Sequence, residues 1–184
     1  MNVDEARALM HEWTPSVALR THMECVAVCM GAYAERYETD QRDRWIVAGL
    51  LHDMDYDRHP TREEHPFVAV EHLRQRGDVD EEIINAILGH AEYSGVARET
   101  PMARVLFAVD ELAGFIVACC KVRPNGIADL QPKSIRKKLK DKAFAAGVNR
   151  ADIHQGADEL EVDASEHIQL CIDALRAEAE RLGL

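Results

Sequence analysis

Apolar residues recur along this chain at intervals of three and four, and alternation at intervals of two is almost absent. That period predicts helices and no strands. A short amphipathic helix is expected over 3–12. Thr14-Pro15 reads as the N-cap and first-turn pair of a second helix over about 15–37, where Leu19, Met23, Val26, Met30 and Tyr33 share a face. A third helix is expected over about 41–54. The polar run DYDRHPTREE, with Pro60, breaks the pattern and leads into a helix over about 63–76 that Gly77 stops. Asp78 or Asp80 caps the next one, about 80–91. Pro101 opens a long helix to about 120 with an inward stripe of Val105, Leu106, Val109, Leu112 and Ile116. Pro124-Asn125-Gly126 is a turn. A basic helix of at most four turns is expected around 133–142, and an amphipathic one over about 160–182 through Ile168, Leu170, Cys171, Ile172 and Leu175. No repeat or linker divides the pattern, so the 184 residues are expected to form a single all-α domain.

Composition narrows the function classes. The net charge of −11 argues against a nucleic-acid coat or a polybasic membrane binder. No apolar run reaches the roughly 20 residues that span a bilayer, and the N-terminus is acidic where a secretory signal would be basic. Cys25, Cys29, Cys119, Cys120 and Cys171 are scattered through apolar segments without a CxxC pair. They read as reduced core residues of a cytoplasmic protein, not as a thiolate metal site.

The candidate chemistry lies in polar residues on apolar faces. His52-Asp53 follows Ile46, Val47, Leu50 and Leu51; Asp110 is flanked by Leu106, Val109 and Leu112; His22 stands between Leu19 and Val26. A lone histidine on such a face is most often a hydrogen-bonded core residue. Two buried carboxylates with no arginine beside them in sequence are costly, and a metal ion would stabilise both. His22, His52, Asp53 and Asp110 supply two nitrogens and two carboxylates, a set suited to a divalent ion of intermediate hardness. His65, at a helix start, and His90, at a helix end, extend the set to two ions bridged by Asp53. His11, His59, His72, His154 and His167 read as surface or outer residues, with His59 near enough in the loop to contact a substrate.

The runs THMECV, AGLLHDMDY, EEHPFVAVEHL, AILGHA and LFAVDELAG carry the order H…HD…H…H…D. In that order and context the chain resembles the HD superfamily of metal-dependent phosphohydrolases, in its HDIG-type branch, over about 20–120. The resemblance implies an all-α helical bundle around a metal cleft: a single HD domain over 1–184, with a basic helical section at about 121–184. It implies a first metal on His22, His52, Asp53 and Asp110, and in two-metal members a second on residues placed like His65 and His90. The ion, one or two per chain, is Mn, Fe, Co, Ni, Zn or Mg. Met54 and Asp55 stand where the HDIG pattern has Ile and Gly, and the Glu-Asp pair of some nucleotide-hydrolysing relatives is absent.

The expected function is a metal-dependent phosphohydrolase acting on a small phosphate ester or nucleotide through a metal-activated hydroxide. Asp53 acts at the metals, and Asp55, Asp57 or His59 protonates the leaving group. The alternatives are a di-iron oxygenase of the same fold and a metal-binding regulatory module with little turnover. Segment 121–150 holds nine basic residues against Asp129 and Asp141. Within it, Lys133, Arg136, Lys137 and Lys140 share a helix face and are expected to hold a substrate phosphate. A second copy docking there, forming a homo-oligomer, is the alternative. The segment's size argues against duplex nucleic acid, and it has no aromatic stacking platform.

Overall fold

The computed structural model describes residues 1–37 and 39–184. Ten α-helices follow in order: α1 Val3–Trp13, α2 Val17–Tyr37, α3 Arg42–Leu51, α4 Phe67–Arg76, α5 Glu81–His90, α6 Pro101–Lys121, α7 Pro132–Leu139, α8 Arg150–Glu159, α9 Ala164–Ala177 and α10 Ala179–Leu182. There is no strand among the described residues. The two longest helices, α2 and α6, lie at the centre: α3, α6 and α9 pack on α2, and α5 and α8 pack on α6. Met23, Val26 and Met30 of α2 meet Val105, Val109, Leu112 and Ile116 of α6 in one fully buried apolar cluster. All five cysteines are free and buried. No helix among the described residues is long and apolar enough to cross a membrane.

Two glycines let helices approach at backbone distance. A Cβ on Gly49 would stand 2.6 Å from the Ala27 Cα, and one on Gly156 would stand 2.5 Å from the Ala108 Cα. Side chains cannot yield there, because the obstacle is main chain. The first contact presses α3 onto α2, and the second presses α8 onto α6.

The structure corrects several expected boundaries. Thr14 does not cap α2. It ends α1, donating its N–H to the Met10 carbonyl, and its buried hydroxyl donates to the Met54 carbonyl at 3.1 Å. The α2 helix begins at Val17, just after Ser16, whose Oγ accepts the Leu19 N–H. Next, α3 stops at Leu51, before the His-Asp pair. From there the chain closes short turns, with Met54 N–H donating to Leu51 O and Tyr56 N–H to Asp53 O. The fourth helix starts at Phe67, so His65 precedes it. The last predicted helix is two, α9 and α10, and α8 was not foreseen. Few apolar positions mark α8, namely Ile153, Ala157 and the close-packed Gly156, so its periodicity is weak although Asn149 caps it through the Ala151 N–H. His167, expected at the surface or in an outer shell, is buried between α2 and α6. Tyr33 O–H donates to its Nδ1 at 2.5 Å, and its Nε2–H donates to the Ala108 carbonyl at 3.1 Å.

Candidate metal centre

Four elements bring the polar residues to one point. His22 comes from the middle of α2, His52 and Asp53 from the turn that ends α3, His90 from the last residue of α5, and Asp110 from the middle of α6. His65 comes from the loop before α4. Because α3 ends where it does, consecutive residues His52 and Asp53 both face the same volume.

Asp53 sits between two halves. Its Oδ2 lies 3.5 Å from His52 Nε2 and 3.8 Å from His22 Nε2; those nitrogens lie 3.5 and 2.9 Å from Asp110 Oδ1. Its Oδ1 lies 3.4 Å from His65 Nε2 and 3.3 Å from His90 Nε2. Two groups with metal-ligand spacing result, His22–His52–Asp53 and Asp53–His65–His90, and they share Asp53.

The outer hydrogen bonds of three histidines set their tautomers. His52 Nδ1–H donates to the Gly49 carbonyl at 2.9 Å, His90 Nδ1–H to the Ile87 carbonyl at 2.5 Å, and His65 Nδ1–H to Asp55 Oδ1 at 2.7 Å. Each ring then turns an Nε2 lone pair inward, the arrangement that orients metal-ligating imidazoles. His52 Nε2 is fully buried and has no hydrogen-bond partner. His65 Nε2 and His90 Nε2 stand 3.3 Å apart, so two lone pairs face each other. Burial opposes charge on His52, yet the Asp53 and Asp110 carboxylates hold its imidazole up at about 9. Burial likewise opposes charge on both carboxylates, and the facing histidines still hold them below the usual range. A proton and a metal ion compete for the same lone pairs in such a cluster. The inward nitrogens, the orphaned Nε2 and the shared carboxylate fit divalent ions.

The cluster forms the floor of a cleft of about 640 Å³. One wall carries Tyr56, Arg62 and Tyr93. The Arg62 guanidinium lies 5.3 Å over the Tyr93 ring, and Tyr56 meets His65 edge-on with ring centroids 5.0 Å apart. The other wall carries Glu111, Asn149 and Asp152. Burial first, then the neighbouring Asp110 charge, pushes the Glu111 carboxyl up to about 7. Sequence reasoning passed over all six. Glu111, next to Asp110 in VDELAG, was the one within reach; Asn149 and Asp152 belong to the unforeseen α8.

The other expected site residues lie elsewhere. Asp55 is fully buried, and its carboxylate is occupied: Oδ1 accepts from His65 and Oδ2 accepts the Ala69 N–H at 2.8 Å. It orients a histidine and does not reach the cleft. Asp57 Oδ2 accepts the Ser16 N–H at 2.8 Å, tying the loop to the entry of α2. His59 pairs with Glu64 at 3.2 Å outside the cleft. Lys133, Arg136, Lys137 and Lys140 line a separate groove beside α8 and α9, not the metal cleft, because α7 packs against α9 and away from α3 and α5.

The family model of the HD domain matches residues 19–114, more than half of the chain, and spans every residue of the cluster. The chain belongs to the HD domain family. No curated protein and no solved structure matches it. Of the paired His52-Asp53 that names the family, His52 belongs here to one ligand group and Asp53 to both. Membership carries a metal-dependent, hydrolase-like site on a helical fold, and the His/Asp cluster of this HD domain fits that description.

Proposed function

We propose that this HD domain is a phosphohydrolase that uses two divalent ions to cleave a small phosphate monoester, a nucleotide among the candidates. The observation that supports it is the split role of Asp53, one oxygen toward each half of the cluster, at the floor of an open cleft. His22, His52, Asp53 and Asp110 would hold one ion, and Asp53, His65 and His90 the other. Ions there supply Lewis acidity and bring the pKa of water toward neutrality. The remaining work belongs to the chain. Arg62, the one basic side chain besides histidine lining the cleft, meets the phosphate oxygens, its planar fork suited to two of them. Tyr56 and Tyr93 flank the leaving group and narrow the access of solvent. Glu111 and Asp152 on the opposite wall accept hydrogen bonds from the leaving group, and Glu111 is placed to exchange a proton with its ester oxygen. Asp55 keeps the His65 ring in one orientation.

The test is phosphate release from a panel of phosphate monoesters, under anaerobic conditions, with Mn²⁺, Fe²⁺, Co²⁺ or Zn²⁺ supplied. The proposal expects turnover without oxygen, abolished in His52→Ala and reduced by about 10²-fold in Arg62→Ala through loss of a charge-assisted contact. Turnover that requires oxygen would instead place the chain among oxidative enzymes. No turnover on the panel, with metal bound, would favour a regulatory module.

A further inference from the structure

The groove that holds the basic residues has its own architecture. Three helices converge on it: Lys133, Arg136, Lys137 and Lys140 project from α7, His154 from α8 and Ser165 from α9. It encloses about 740 Å³, within the range of small-molecule pockets. No carboxylate lines it. Several arginines elsewhere in this acidic chain do find acids: Arg7 meets Glu24, Arg44 meets Asp80 and Glu82, Arg98 meets Glu159, and Arg181 meets Glu24. Among the described residues, none of the four α7 cations is in an ion pair; Arg136 reaches only the Ser165 hydroxyl, at 3.0 Å.

Helix stability accounts for only part of this. The helix dipole favours Arg136 and Lys137 in the last turn of α7, but it disfavours Lys133 in the first turn, and cations on one helix face repel one another. Asp163, two residues before Ser165, is turned to the start of α9, where it accepts the Ser165 and Glu166 N–H groups. Among the described residues, no carboxylate therefore meets the cations of the groove.

We propose that this groove is a second binding site, distinct from the metal cleft, for a compact molecule carrying several phosphate groups. Four cations and an imidazole ask for more negative charge than one phosphate brings. Convergence from three helices into a concavity, on a basic helix of only eight residues, favours a compact anion over a strand of nucleic acid. Among the described residues no Phe, Tyr or Trp lines the groove, and His154 is its single ring, so it offers no run of stacking platforms for successive bases. The metal-ligating groups found among the described residues lie in the cleft, and the groove is expected to bind its occupant. Helix α8 forms the partition: it sends Asp152 into the cleft and His154 into the groove.

The test is calorimetric titration of the full chain, metal-loaded, with inorganic tripolyphosphate as the probe. One molecule is expected to bind at the groove of each chain, beyond the phosphate that the metal cleft takes up, and at least about tenfold more tightly than orthophosphate. Affinity should fall about tenfold or more in Lys137→Glu/Lys140→Glu, and likewise in Lys133→Gln/Arg136→Gln, which guards against a folding defect in either pair. Arg62→Ala, in the cleft, should leave this binding in place. Binding that ignores both pairs, or that disappears with Arg62→Ala, would overturn the proposal. So would a short single-stranded RNA that binds more tightly than tripolyphosphate, or a dimer in solution that only the charge-reversed pair dissolves.

Discussion

Asp55 shows how much of a metal centre is decided one residue outside it. Its two oxygens accept from His65 Nδ1–H and from the Ala69 N–H, both at hydrogen-bond distance in a fully buried position. An amide in its place cannot accept from both, so Asp55→Asn is expected to free the His65 ring. Metal titration of that variant should show the His65–His90 half of the site losing about 10–100-fold in affinity, with the His22–His52 half retained. His167 gives a prediction read in stability. Burial holds its pKa down at about 4, against about 6.5 in an unfolded chain. Between those values the unfolded chain binds the extra proton, so stability falls as pH drops from about 6.5 through about 4. The loss approaches about 3 kcal/mol below that window. Denaturant titrations across this range should show it in the parent chain, and His167→Gln should flatten that part of the profile. The six clustered ligands were legible in sequence because each is a polar residue among apolar neighbours. The partners of Asp55 and His167 were not: those of Asp55, ten and fourteen residues on, depend on the fold of the intervening loop, and those of His167 come from segments 134 and 59 residues back.

Between elements, the decisive contacts are the ones with no side chain. At an exposed helical site, Gly→Ala usually stabilises by about 1 kcal/mol. At Gly49 and Gly156 the sign should reverse, because the new Cβ would meet the main chain of Ala27 or Ala108 at 2.6 or 2.5 Å. Each substitution is expected to cost about 1–3 kcal/mol, visible as a lower denaturant midpoint. Gly156→Ala should also impair turnover, since α8 carries Asn149 and Asp152 to the cleft wall. Helices with a strong apolar stripe, α2 and α6 above all, were readable from spacing alone. Helix α8 was not, because its packing depends on a missing side chain, and a glycine reads in sequence as a weakness in a helix. The early end of α3 was hidden as well: the apolar run continues to Met54, while the turns that redirect it depend on Thr14 and Asp57 contacts from across the fold.

At the scale of the molecule, the net charge of −11 is distributed unevenly, with an acidic metal cleft on one side of α8 and an unpaired basic groove on the other. The cleft's carboxylates and buried imidazoles are brought together only by folding, so metal binding is coupled to stability. Metal at about 100 times its dissociation constant should stabilise the fold by about 2.7 kcal/mol for a single site, and a chelator should remove that increment from the melting temperature. His52→Ala should melt at a temperature that no longer depends on added metal. The central claim is that one carboxylate, Asp53, serves two ions, and metal content measures it directly. Elemental analysis of the protein, loaded with Mn²⁺ and desalted, should find two ions per chain in the parent and fewer than one in Asp53→Ala. A parent chain that retains no metal, or an Asp53→Ala chain that still holds two ions, would contradict the account.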